Sequence, residues 1–402
     1  MKFPPQIYII SFVIFLHCCE KDAINYKKDL NNVNGSYHEK ISGEPYSGKV
    51  FSLYDSGMTR ENGELKNGKK EGFFTNYYNS GQKKNEGNYF NDLKNGEWIY
   101  WDENGQKYLE ENYVDGKKHG LFTLFEDGIK RRQGSYLNKL KNGLFIEWYD
   151  NGLKKQKGNF KDGLQDGEWI YWDEEGKKYL KESYDKGQKN GLFIEWYENG
   201  QKSIEQTWKN GKKDGLFTEW YENGYKKQQG LLGDFNYKMG KWTYWQENSI
   251  KYLEENYVDG KKHGIQIGWY ENGIKSIEQN YKNDLKEGSF TAWHENGKKK
   301  QTVKFVEGMK EGNMLYWYKN GNLWLQENYV DDKKNGIIVG WYENGQKSIE
   351  QAWKNGKKHG MHKMWYGNGQ KMEEGIMKNG REYGKWIYYK QDGKIDKELV
   401  HD

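Results

Sequence analysis

The chain is poor in the residues most chemistry needs. Of 402 residues only two are cysteine, the adjacent Cys18 and Cys19, so everything after them lacks disulfides and thiol chemistry. Arginine is nearly missing, with Arg60, Arg131, Arg132 and Arg381 the only four. Readers of nucleic acid favour arginine for two-pronged contacts, and no nucleic-acid partner is expected here. Neither sign of charge prevails, 64 Lys plus Arg standing against 59 Asp plus Glu. A sustained apolar period of 3.6 residues is also missing, because fifty glycines interrupt the chain about every ten positions, and helix is excluded as the main element.

What fills the sequence is repetition. "GLFIEWYENGQKSIEQTWKNGKKDG" from 191 returns as "GIIVGWYENGQKSIEQAWKNGKKHG" from 336. A glycine opens each unit: Gly48, Gly72, Gly96, Gly120, Gly143, Gly167, Gly191, Gly215, Gly240, Gly264, Gly288, Gly312, Gly336, Gly360 and Gly384. The span is fourteen steps of 24 residues. The unit from Gly120 has lost a residue and the unit from Gly215 has gained one. A longer period lies over the first, since "GEWIYWDENGQKYLEENYVDGKKHG" at 96 recurs at 167, 240 and 312, so three units form a duplicated block.

Within a unit the residue types read strand, turn, strand, turn. Position six is aromatic in fourteen of fifteen units, including Trp101, Trp148, Trp172, Trp196, Trp220, Trp245, Trp269, Trp293, Trp317, Trp341 and Trp365. Positions four and six share a face of a period-two strand, and the regularity of the stripe points to core packing. Asn-Gly and Asp-Gly mark a tight turn, because Gly and Asn accept positive φ at little cost. A second aromatic falls near position eighteen, and "NGKKxG" reads as the second turn. The expected fold is all-β, an elongated repeat ribbon of consecutive antiparallel hairpins. One unit buries too little to stand alone, so stability has to come from neighbours.

The unit resembles the MORN repeat, a hairpin module with an internal "NG" turn and a terminal "KxHG". It is closest to the bacterial variant with "WYxNG" and "YxxGxxxG", seen in "WYENGQKSIEQTWKNGKKDG" at 196. The resemblance implies a non-catalytic scaffold with protein or membrane-lipid partners and no cofactor. Proteins of this variant are often labelled antitoxin-like, which gives an alternative as an antitoxin or immunity-type protein. A second alternative is a glycan-binding module, since aromatic hairpin repeats also stack on sugars.

The N-terminus, "MKFPPQIYIISFVIFLHCCEKD", carries an apolar stretch from Ile7 to Leu16, too short to span a bilayer. It resembles a bacterial lipoprotein signal, with Leu16 three residues before Cys19, which would carry the lipid. An ordinary cleaved signal and an uncleaved anchor are the other readings. The expected organisation is a signal over 1–19, a flexible tether over 20–47, fourteen repeats over 48–383 and a partial capping repeat over 384–402. An exported, membrane-anchored protein of the cell envelope follows.

Candidate chemistry is sparse. His119, His263 and His359 hold one repeat position, and no metal cluster emerges from the other histidines. Acidic pairs such as Glu110-Glu111 and Glu254-Glu255 recur on Lys-rich strands, as cross-strand charge pairing would have them. Turns of one kind carry Glu (Glu198, Glu222, Glu247, Glu271, Glu295, Glu343), and turns of the other kind carry Lys69, Lys117, Lys212, Lys261 and Lys357. The expectation is an acid-leaning edge and a Lys-lined edge, the latter a candidate surface for an anionic lipid or an acidic protein.

Overall fold

A computed structural model describes residues 22–402; the stretch expected to be a signal, 1–19 with Cys19, lies outside the described residues. The chain divides into two compact units, one ending at Gln165 and one running from Asp166. In each, consecutive strands pair antiparallel with their sequence neighbours, as in Lys83–Phe90, Leu93–Trp101, Lys107–Val114 and Lys117–Glu126 of the first unit. The second unit repeats the pattern, for example Lys251–Val258, Gly264–Trp269, Lys275–Lys282 and Leu285–Trp293. The all-β hairpin architecture read from the sequence is the architecture observed.

Two connections alternate. Asp115-Gly116, at φ 48° and 72°, form a two-residue turn that sets Val114 opposite Lys117. Both central residues are left-handed, the geometry that matches strand twist. The other connection is the Glu-Asn-Gly loop: Asp102 N–H donates to Gln106 C=O at 2.9 Å, Gly105 N–H donates to Asp102 C=O at 3.1 Å, and Gly105 sits at φ 80°. Asp92, Asp284 and Asp332, standing where other turns have Gly, adopt the same left-handed backbone. Their carboxylates accept from Lys70, Lys262 and Lys310 N–H at 2.7, 2.7 and 3.3 Å.

The "NGKKxG" segment is not one turn. The register runs Lys118 opposite Tyr113 and then Phe122 opposite Glu111, so His119-Gly120-Leu121 form a bulge inside a strand. The opening glycine of the unit is the left-handed residue of that bulge, at φ 91° for Gly120. Lys69, Lys117, Lys212, Lys261 and Lys357 are accordingly the first residues of strands.

The core also lies one residue away from the expected stripe. Position three is the buried one in most units, with Phe74, Trp98, Trp169, Trp242 and Trp386 sealed off, while the position-six tryptophans are half-buried. The register shift at Tyr100/Trp101 leaves Tyr108 of the partner strand as the extra residue, so alternation along Leu93–Trp101 continues: positions three and five face the core and positions four and six the opposite side.

Residues 22–47 differ from the tether expected there. Ile24–Asn25 pairs parallel with Gly48–Leu53, and Tyr26 of the short helix Tyr26–Asp29 is buried with Leu30, Tyr46, Val50, Leu65 and Phe74. Tyr37 N–H donates to Gly68 C=O and Gly68 N–H to Tyr46 C=O, both at 2.8 Å. Three apolar anchors suffice to dock this polar segment on the first repeat.

Candidate functional site

The buried indoles of Trp98, Trp242 and Trp386 sit where the preceding strand offers no side chain. A Cβ at Gly87 would lie 2.5 Å from the Trp98 ring, and Gly230 and Gly375 are equally tight beneath Trp242 and Trp386. Where Val303 replaces that glycine, Met314 replaces the indole, and the two pack in one buried cluster. The ring of position three is therefore sized by position sixteen of the unit before it.

On the same face lie the strongest perturbations of charge. The Lys94 ammonium stands 4.2, 5.0 and 5.2 Å from the Trp98, Tyr100 and Tyr113 ring centres, and Lys238 repeats this over Trp242, Tyr244 and Tyr257. Beside each cage a buried glutamate is held by a tyrosine and the next lysine. Tyr257 Oη donates to Glu255 at 2.5 Å and Lys262 Nζ lies 2.7 Å away; Tyr329 and Lys334 hold Glu327 at 2.8 and 2.5 Å. Tyr113 with Lys118 and Tyr184 with Lys189 hold Glu111 and Glu182 in the same way. Burial works to raise the Glu255 carboxyl, but Lys262 and Tyr257 outweigh it and hold the group below the usual carboxylate range. Burial pushes the Tyr257 phenol up and the Lys94 and Lys238 ammonium groups down.

Perturbed groups of this kind often mark active sites. Here they recur block after block, and each glutamate is matched by its own lysine and tyrosine. Among the described residues no three of His, Cys, Asp and Glu come together as a metal set, and no helix is long and apolar enough to cross a membrane.

The opposite face carries the position-six aromatics. Lysines of the preceding unit stand over Trp101, Trp220, Trp245, Trp269, Trp293, Trp317 and Trp365 at 3.9 to 6.0 Å. Most of these lysines also pair with a glutamate three residues on, as Lys251 does with Glu254 at 2.9 Å.

At the Glu-Asn-Gly loops, two ladders run from unit to unit. Tyr197, Tyr221, Tyr270, Tyr318 and Tyr342 donate to the carbonyls of Trp220, Trp245, Trp293, Trp341 and Trp365 at 2.7 to 2.9 Å. Asn272 closes its own loop by accepting from Ile274 N–H at 3.0 Å, and its Nδ2 donates to Glu295 C=O in the next loop at 2.8 Å. The loop glutamates are thereby spaced at a fixed interval with their carboxylates exposed.

The other edge is a mosaic and not a Lys line. Lys69, Lys117, Lys212, Lys261 and Lys357 are all exposed, yet no two belong to adjacent hairpins. Between them the same position holds exposed Leu93, Leu140, Leu164, Tyr237, Leu285 and Met309, and also exposed Gln188 and Lys333, the latter on the hairpin before Lys357. Asp115 and Asp259 share turns with Lys117 and Lys261. The five lysines are not brought together into one site.

One site was missed from the sequence. His362 is buried, with Nδ1 2.6 Å from Gln351 Oε1, Nε2 2.9 Å from Glu373 Oε1, and its ring 5.2 Å from that of Trp386. Its partners are eleven residues away on either side, across the strands. The available signal was that His362 stands at position three, where most other units have Trp or Phe.

These features define a class: a β-hairpin repeat protein whose buried glutamates are taken up by neighbouring lysines and tyrosines, presenting two edges of different chemistry. The MORN repeat variant family matches five stretches, residues 94–115, 165–186, 189–210, 262–283 and 310–331, so repeats of that kind are present at those places. No curated protein matches the chain. Among solved structures, a crystal structure of TcdB2-TccC3-Cdc42 aligns at 10% identity and TM-score 0.14, covering 88% of this chain and 23% of its own. TcdB2-TccC3 without its hypervariable C-terminal region aligns at 10% identity and TM-score 0.16, with the same coverage. A Tc holotoxin pore of Photorhabdus luminescens with a TccC3 mutation aligns at 9% identity and TM-score 0.11, covering 89% of this chain and 29% of its own. The chain thus spans about a quarter of these proteins, and at such TM-scores the likeness carries no argument.

Proposed function

We propose that this protein is a non-catalytic scaffold, exported and held at the cell envelope by a lipid on Cys19, whose exposed edges bind a protein partner. The observation that carries this reading is the internal pairing of the buried charges: the buried glutamates are taken up by Tyr and Lys, and Lys94 and Lys238 of the inner face by aromatic rings. Recognition is left to the edges, where the Tyr and Asn ladders hold the loops at a fixed spacing. Cages such as Trp98–Tyr100–Tyr113 already hold Lys94, which leaves no room for an ammonium ligand. Lysines over seven of the position-six rings speak against sugar stacking on those faces. The mosaic turn edge favours protein over anionic lipid, since a charged membrane surface rewards a continuous cationic strip.

The test is mass spectrometry of the N-terminus of the membrane-associated protein, together with crosslinking in place. An acylated Cys19 and a crosslinked protein that is lost with Cys19→Ser agree with the proposal. An unmodified Cys19 with the protein recovered free of membranes contradicts it. Reversal of Lys69, Lys117, Lys212, Lys261 and Lys357 to Glu is expected to leave binding to anionic vesicles unchanged.

A further inference from the structure

A periodic surface offers the same contact at every unit, so a contact of defined place has to use an irregularity. The largest in the second unit is the turn that gained a residue. Asp234–Asn236 replace the usual two-residue turn, and Phe235 projects from it, 73% exposed and at φ 62°. It is the one aromatic in the left-handed region among the described residues. Bulky side chains adopt that conformation only under constraint from their surroundings.

Phe235 does not project alone. Leu216, Leu231, Tyr237 and Met239 are exposed around it, and the Lys212 ammonium lies 4.5 Å from its ring. Lys212 is directly opposite Lys209 across the neighbouring turn. Like charges so placed repel, and neither lysine has an ion-pair partner among the described residues. The result is a phenyl knob flanked by two uncompensated ammonium groups.

The same unit contains a socket of the opposite character. At the loop ends of these hairpins, Trp196, Tyr197, Glu198, Asn199 and Glu222 line an open pocket of about 610 Å³. Its walls are fixed, since Tyr197 Oη and Asn199 Nδ2 donate to the Trp220 and Glu222 carbonyls, both at 2.7 Å. Glu198 and Glu222 are exposed and have no ion-pair partner among the described residues. Among the described residues no lysine stands over the Trp196 ring, in contrast to Trp220 and Trp245.

We infer that the knob of one copy of this chain seats in the socket of a second copy, with Phe235 against Trp196 and Lys209 and Lys212 against Glu198 and Glu222. A chain cannot fill its own socket, because the strand Lys202–Lys209 runs from the socket loop to the knob side, about 27 Å at roughly 3.4 Å per residue. The two patches are different surfaces, so the contact is heterologous and adds copies head to tail. The inference stands independently of the envelope proposal.

The experiment is sedimentation of the full-length chain in mild detergent over a range of concentrations and salt. The expected result is a mass that rises with concentration past a dimer and falls with added salt. Phe235→Ser is expected to leave the chain monomeric with an unchanged circular-dichroism spectrum. The chain carrying K209E and K212E, and the chain carrying E198K and E222K, should each be monomeric alone and co-assemble when mixed. That readout does not depend on Phe235 at all. A wild-type chain monomeric throughout, assembly that survives Phe235→Ser, or reversed chains that ignore each other would overturn the inference.

Discussion

At Gly87 the constraint is space, and at Gly96 it is backbone geometry. A methyl at Gly87 would meet three atoms of the buried Trp98 indole, whereas a methyl at Gly96 meets nothing within 4 Å but sits at φ 73°. Gly87→Ala is expected to cost about 1–3 kcal/mol through overpacking. Gly96→Ala should cost about 1–2 kcal/mol through the left-handed backbone alone. Urea denaturation measures both. The pair Val303 and Met314 offers a sharper check: Met314→Trp alone should destabilise by about 1–3 kcal/mol, and adding Val303→Gly should recover most of it. A double-mutant cycle with no coupling would refute the size matching. These glycines are plain in the sequence, but their role is not, because it depends on which residue lies across the ladder. The stripe of Trp at position six was legible for the same reason that it misled: it is the most regular feature, while the less uniform position three, with Trp, Phe, Ile, Met and His362, makes the core.

Among the elements, the loops and the docked segment 22–47, which caps the first repeat, are the parts whose behaviour follows most directly from their bonds. Asn272→Ala removes one acceptor within its loop and one donor to the next, so the Ile274 amide should exchange faster with deuterium. The expected loss is about 0.5–1.5 kcal/mol. In the cap, Glu61 is buried and bonded by Tyr26, with Lys70 at 2.5 Å and Lys27 at 3.6 Å. Burial alone would raise its carboxyl, but Lys70, Tyr26 and Lys27 hold it below the usual range. A lowered folded value means that the cap draws stability from Glu61 above the ordinary glutamate range, about pH 4.3, and loses it as pH falls through the lowered value. Hydrogen exchange over residues 22–47 should therefore accelerate in acid before that of the central repeats, and Glu61→Gln should flatten this dependence. The hairpins themselves were legible from alternation and turn residues. The cap was not, because its order rests on a few anchors in a polar stretch with no period to detect.

For the molecule as a whole, the period is what the sequence states most openly, and the structure adds which multiple of it matters. Glutamate follows the sealed position-three side chain in the units opening at Gly96, Gly167, Gly240 and Gly312; the three with an indole follow glycine, and the one with Met314 follows Val303. Removing residues 167–239 excises one complete block of the second unit and sets Trp242 after Gly158, again a glycine. The shortened chain is expected to fold with a lower denaturant m-value in proportion to the lost surface. Removing 24 residues from Gly240 would instead set Ile265 and Gln266 after Gly230, leaving a hole where Trp242 had packed. Its thermal melt should be broader and lower. The seam between an indole and a bare backbone thus acts as a ratchet on heredity: a gene of this kind can lengthen or shorten without injury only in strides of three hairpins, and lineages descended from it should differ by whole strides.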